Sequence, residues 1–133
     1  MASALTSGWK GSRSPARPDH LALKILFWGT PAYAVPKLLT DCQVSLQDFD
    51  FYEIHEAFAA QVLCTLRAWE SEAFCRERLG LPQALGAIDQ AKLNVVGSSL
   101  AVGHPFAATG ARLVGTLAKL LAERGQGRGL ISV

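Results

Sequence analysis

Charge of either sign is scarce in this 133-residue chain, with 13 lysines and arginines against 11 acids and a net charge of only +2. So small an excess excludes the electrostatic footprint of a nucleic-acid binder or of a protein held on a strongly anionic membrane. No uninterrupted apolar run is long enough to span a bilayer, so no transmembrane segment is expected. There are three cysteines, Cys42, Cys64 and Cys75. Their spacing is neither paired nor that of metal ligands, which argues against a disulfide framework or a metal site and suits a reducing compartment such as the cytoplasm. The N-terminal stretch has no apolar core of the kind a secretory signal needs. Residues 21–133 contain no internal repeat and no low-complexity tract.

What the chain does have is apolar residues: half of it is hydrophobic and 18% is charged. That is the composition of a globular domain able to bury roughly two-thirds of its unfolded surface. Residues 1–20 differ from the rest. They are rich in Ser, Gly, Ala, Pro and Arg and carry no carboxylate before Asp19. Such a basic stretch reads as a disordered leader or as a transit peptide, the latter placing the protein in the mitochondrial matrix. From Leu21 to Trp28 the chain is apolar, and Gly29-Thr30-Pro31 ends the run.

The remaining elements alternate. Pro31–Thr40 begins with a proline, tolerated in a first helical turn, and Val44–Asp48 reads as a short helical turn. Phe49–Ile54 predicts a strand, apolar on both faces except at Asp50 and Glu53, as in a sheet covered on both sides. Phe58, Val62, Leu66, Trp69 and Ala73 recur at helical spacing until Gly80 and Pro82 break the pattern. Pro82–Lys92 is loop. Ala111–Glu123 is an amphipathic helix with Leu113, Val114, Leu117, Ala118, Leu120 and Leu121 on its apolar face and Arg112, Thr116, Lys119 and Glu123 opposite. Leu130–Val133 predicts a final strand. The class is α/β.

Between these elements, Asn94–Arg112 reads NVVGSSLAVGHPFAATGAR. Gly97, Gly103, Pro105 and Gly110 crowd around a single histidine, His104. Gly103 supplies backbone freedom, and Pro105 pushes His104 away from the helical region. The imidazole therefore sits on a stiff loop near a helix start, whose positive end disfavours an imidazolium and suits a general base. A histidine between glycines also serves as a plain loop or capping residue, and spacing alone leaves both readings open.

The whole string resembles the GHP loop of the thiolase family, the enzymes that make and break 3-ketoacyl-CoA, most closely in its fatty-acid-oxidation branch. Pro31-Ala32-Tyr33-Ala34 resembles a second family segment, and His55-Glu56-Ala57-Phe58 resembles the family's NEAF motif in its HEAF form. The resemblance is to the C-terminal half and implies a partial thiolase-like fold over residues 21–133, a mixed sheet covered by helices. It implies His55 as the holder of a water and His104 as a direct donor, together stabilising a thioester oxygen as it becomes negative, with His104 also activating a cysteine. Ala57, Phe58 and Gly103 would line the substrate, an acyl-CoA. For Phe58 core packing is an equal alternative, and for Glu56 a simple first-turn carboxylate is the preferred reading.

No metal or cofactor is implied beyond coenzyme A as substrate. A homo-oligomer or a subunit of a β-oxidation multienzyme complex is. The family's nucleophilic cysteine belongs to an N-terminal half not represented here, and its C-x-G cysteine would fall just past Val133. The chain alone is therefore expected to be inactive, a fragment of an acyltransferase; the alternative is a non-catalytic interaction module. Family members usually carry Gly-Gly where this chain has Gly97-Ser98, and the added side chain is expected to crowd the turn. An unpaired sheet edge beside Leu130–Val133 and exposed apolar helix faces are also expected, with oligomerisation or aggregation as the result.

Overall fold

The structure is a computed structural model and describes residues 2–6 and 30–133. Ala2–Thr6 form strand β1, Thr30–Cys42 helix α1, Phe51–Ile54 strand β2, Ala59–Glu70 helix α2 and Glu72–Leu79 helix α3. Ser99–Val102 form the single-turn helix α4, Thr109–Arg124 helix α5 and Arg128–Ser132 strand β3. Strand β1 lies inside the stretch expected to be a leader. The rest of that stretch, like the apolar run Leu21–Trp28, falls outside the described residues.

Helix α1 carries Pro36 in its interior. A proline has no N–H to give the carbonyl four residues back, which here belongs to Ala32. The indole of Trp69 on α2 donates to that carbonyl at 3.4 Å. Tertiary packing thus satisfies the group the proline orphans and locks α1 onto α2.

The helical periodicity from Phe58 to Ala73 predicts one helix, but the chain makes two. Ser71 interrupts it in extended geometry, its hydroxyl accepting from the Phe74 N–H at 3.2 Å to start α3. This is ordinary N-capping, favourable enough to stop one helix and begin another. Val62, Leu66 and Trp69 are buried as the pattern requires, while Phe58 and Ala73 are exposed.

The three strands form a mixed sheet in the order β1-β3-β2, with β1 antiparallel and β2 parallel to β3. Strand alternation gives each face its own core. Tyr52, Ile54 and Leu130 pack with Val35, Leu39, Val62, Leu66 and Trp69 beneath α1 and α2. On the other face Ile131 and Phe51 meet Leu113 and Leu117 of α5. The expected unpaired edge beside Leu130–Val133 is not found, because β3 is the central strand and Ala2–Thr6 runs along the side that was expected to be open.

Asp50 precedes β2 rather than belonging to it, and it ties the layers together. Its carboxylate accepts from the Arg128 N–H at 2.9 Å and pairs with Arg124 at 2.7 Å, joining the end of α5 to the start of β3. Within β3, Gly129 is required by close approach: a Cβ there would overlap the Leu117 side chain. On the outer side of β2, Leu93 pairs with Tyr52 in an isolated parallel bridge.

Candidate active site

His55 is the first residue past β2, and its N–H donates to the Ser132 carbonyl at 2.7 Å as the last rung of the ladder. Its ring therefore emerges at the carboxyl end of a parallel pair, where open α/β sheets place their ligands. Glu56 follows. Helix α2 begins only at Ala59, so Glu56 is not the first-turn carboxylate expected from sequence. It instead accepts from the Asn94 amide at 2.9 Å and from the Leu100 N–H at 3.0 Å. One carboxylate thus fixes both the start of the loop and the first turn of α4.

Asn94 completes the join. It takes a left-handed conformation (φ +47), accessible to asparagine more readily than to most residues. Its side-chain amide accepts from the Ile54 N–H and donates to the Ile54 carbonyl, each at 2.9 Å. Its own N–H donates to the Tyr52 carbonyl at 2.8 Å. The loop is pinned along the last residues of β2, immediately before His55.

From there the chain turns at Gly97, forms α4, and leaves it through Gly103 at φ +89, as the glycine-rich spacing predicts. Ser98 does not crowd the turn. It is buried in ordinary extended backbone, with its hydroxyl directed at the Ile54 carbonyl at 3.5 Å and accepting from Arg112 at 3.2 Å.

The two histidines meet. Their ring centroids lie 4.1 Å apart at an interplanar angle of 40°, and Phe106 flanks His104 with centroids 4.8 Å apart. Each ring is held through Nδ1. His104 Nδ1 lies 2.7 Å from Thr109 Oγ1, and Thr109, the first residue of α5, sends its hydroxyl proton to the Pro105 carbonyl at 3.2 Å. That oxygen then accepts from Nδ1–H, so in the neutral ring the lone pair lies on Nε2, the form a base needs. His55 Nδ1 lies 2.7 Å from Ser99 Oγ. Burial, then the neighbouring His104 and Arg112, hold the His55 pKa below the ordinary histidine value against an opposing pull from Glu56. His55 is accordingly a neutral imidazole at pH 7.

The other expected site residues lie around this pair. Ala57, Phe58 and Gly103 are exposed, and Phe58 at 68% exposure takes no part in the core. Val95, Val96, Leu100, Val102 and Phe106 are exposed as well, an apolar surface on the loop that carries His104. The cysteines sit elsewhere in the fold. Cys42 ends α1, Cys64 is exposed on α2, and Cys75 is buried with its thiol on the carbonyls of Ala68 and Trp69. Among the described residues no group of three or more His, Cys, Asp or Glu side chains could hold a metal ion. Sequence reasoning missed Asn94, Ser99, Thr109 and Arg112 as parts of the site. For Arg112 the amphipathic pattern pointed the other way, towards solvent.

A family profile described as "Thiolase, C-terminal domain" matches residues 21–133. The chain belongs to the thiolase family. It is 48% identical over 100 residues to the 3-ketoacyl-CoA thiolase of Yersinia enterocolitica, covering 75% of this chain and 23% of that protein. Against the 3-ketoacyl-CoA thiolase of Pseudoalteromonas atlantica it is 48% identical over 102 residues, covering 77% and 23%. Among solved structures, the acetyl-CoA acetyltransferase of Syntrophomonas wolfei superposes with a TM-score of 0.60 at 35% identity, covering 76% of this chain and 23% of that one. The dimeric peroxisomal thiolase of Saccharomyces cerevisiae gives 0.50 at 39% identity, covering 65% and 18%. The chain thus spans about a quarter of the length of the thiolases it matches, in their C-terminal domain. Its mixed α/β architecture is the thiolase one.

Proposed function

We propose that this chain supplies the two-histidine portion of a thiolase site and works on 3-ketoacyl-CoA only when a cysteine-bearing partner completes it. The observation that carries this reading is the contact of the His55 and His104 rings, 4.1 Å apart, at the carboxyl end of the sheet. The complete reaction would cleave 3-ketoacyl-CoA with CoA-SH to acetyl-CoA and a shortened acyl-CoA, in fatty-acid β-oxidation. In it, His55 orients a water and His104 donates directly, so that both stabilise the thioester oxygen as negative charge develops. Donors of this kind are worth about 3–4 kcal/mol each where they have been removed from other enzymes. Nε2 of His104 first takes the proton of the attacking thiol, and the N–H so formed is the one it then donates to that oxygen. Ala57, Phe58 and Gly103 meet the pantetheine and acyl part of the substrate.

The sulfur is what this chain does not bring to the pair, since Cys42, Cys64 and Cys75 all have other places in the fold. Loss of a nucleophile costs on the order of 10⁶ in turnover in enzymes of comparable design, so the chain alone is inactive. A homo-oligomer, as in the dimeric yeast relative, and a reducing cytoplasmic setting are part of the same reading.

The test is thiolysis of acetoacetyl-CoA by the pure chain, and again after addition of a separately made N-terminal thiolase half together with a segment that carries the C-x-G cysteine. No turnover alone, turnover after mixing, and its loss in His104→Ala are the expected results. Turnover by the chain alone would refute inactivity, and turnover by the mixture that survives His104→Ala would refute the role of His104. The exposed apolar residues Val95, Val96, Leu100, Val102 and Phe106 favour a second reading, a non-catalytic module docked on a full-length thiolase or a β-oxidation partner. Its mark would be a stable complex without added activity.

A further inference from the structure

Behind His55 lies a charged group that neither motif contains. Arg112 projects from the first turns of α5, and both of its described hydrogen bonds leave from one nitrogen: Nη2 donates to Ser98 Oγ at 3.2 Å and to Ser99 Oγ at 3.0 Å. The two N–H bonds of that nitrogen are thereby used, one on each serine. Ser98 and Ser99 are both buried, so neither hydroxyl can turn to bulk water.

The proton inventory of Ser99 settles its direction. Arg112 occupies one lone pair on Ser99 Oγ, and no other described group offers that hydroxyl an acceptor except Nδ1 of His55 at 2.7 Å. The buried hydroxyl satisfies its donor by giving its proton to Nδ1, because a buried donor left unmade is costly. Nδ1 must then be unprotonated, and the ring proton of His55 sits on Nε2.

We propose that Arg112 is a positioning residue that acts through the Ser99 hydroxyl to lock His55 in its Nε2–H tautomer, so that His55 presents a hydrogen-bond donor beside His104. The lock works in two ways. Arg112 takes one of the two lone pairs of Ser99 Oγ and so orients the hydroxyl with its proton towards Nδ1, and its fixed positive charge disfavours a second cation on His55. The groups facing His55 are Arg112 and His104, which oppose its protonation, and Glu56, which favours it. The buried Glu53 carboxyl is close enough for Arg112 to lower its pKa against the larger, opposing effect of burial.

The inference deepens the thioester-stabilising reading and rests on it for its purpose, since a donor at Nε2 is what a water or an oxyanion requires. Its pairing with His104 is complementary: the neutral form of His104, fixed through Thr109, has its lone pair on Nε2, while His55 carries a Nε2 proton. The two rings in contact are thereby set to opposite tasks by two different hydroxyl residues.

The test is nitrogen-15 NMR of the ring nitrogens in the uniformly labelled full chain at pH 8, where tautomers are read from the Nδ1 and Nε2 shifts. The chain has only three histidines, His20, His55 and His104, and His55→Gln assigns the signal. In the unaltered chain His55 is expected in the Nε2–H form by at least tenfold, a ratio that one net hydrogen bond of typical strength sustains. Ser99→Ala and Arg112→Met should each reduce that ratio by about tenfold, and Arg112→Lys should restore part of it. A Nδ1–H tautomer in the unaltered chain would overturn the proposal even if both variants failed to fold. So would an unchanged ratio in folded Ser99→Ala and Arg112→Met. None of these readings involves turnover, so a locked tautomer in a chain that no N-terminal half can activate would refute the thiolase role and leave the lock standing.

Discussion

Both carboxylate oxygens of Glu53 are buried without a hydrogen-bond partner among the described residues, and burial, with some help from Glu56, raises its pKa from 4.5 to about 7 against the pull of Arg112. A carboxyl whose folded pKa lies above its unfolded one favours the folded state in its protonated form. Its contribution is complete below about pH 4.5 and is lost as pH rises through 7. Denaturant midpoints should therefore fall between pH 5 and pH 8, and Glu53→Gln should flatten that fall and raise the midpoint at pH 8. An equally steep fall in the glutamine variant would show that some other group is responsible. The contrast with His55 and His104 explains what could be read in advance at this scale. Both histidines sit in contiguous strings whose order carries meaning, so the pair was legible. Arg112 was not, because its partners Ser98 and Ser99 are 14 and 13 positions away and helical periodicity assigned it to solvent.

Helix α5 lies so close to β3 that the contact admits only a glycine. Leu117 is fully buried and covers Gly129, where a Cβ would overlap its side chain. Gly129→Ala should cost about 1–3 kcal/mol by overpacking, and Leu117→Ala about 2–5 kcal/mol by leaving a cavity. The double variant should cost less than the sum, because the new methyl partly fills the space the leucine vacates. Additive losses in urea denaturation would mean the two positions do not press on each other. Elements as such were mostly legible, since strands β2 and β3 and helices α1 and α5 fall near their expected spans. The division of α2 from α3 was not. Val62, Leu66, Trp69 and Ala73 keep helical spacing across Ser71, and only the local cap chemistry of Ser71 with Glu72 behind it marks the break. Helix α4 was hidden for a related reason: its first turn is held by Glu56, a residue 44 positions from Leu100.

The arrangement of the sheet was the least legible feature, because strand order depends on pairings between distant segments. Sequence placed an open edge beside Leu130–Val133, whereas Ala2–Thr6 covers it in antiparallel register from Ala2 opposite Ser132 to Thr6 opposite Arg128. Removing residues 1–6 should therefore uncover the ladder of β3 and produce larger, concentration-dependent species in sedimentation experiments than the intact chain forms. Identical sedimentation of the two would mean that β1 does not shield β3. The opposite flank is guarded by different means. Asn94 lays its N–H and its amide along Tyr52 and Ile54, taking the hydrogen bonds a recruited strand would seek. A fibril growing from that flank would first have to evict Asn94, so the clamp that seats the His104 loop also keeps β2 from acting as a template for amyloid.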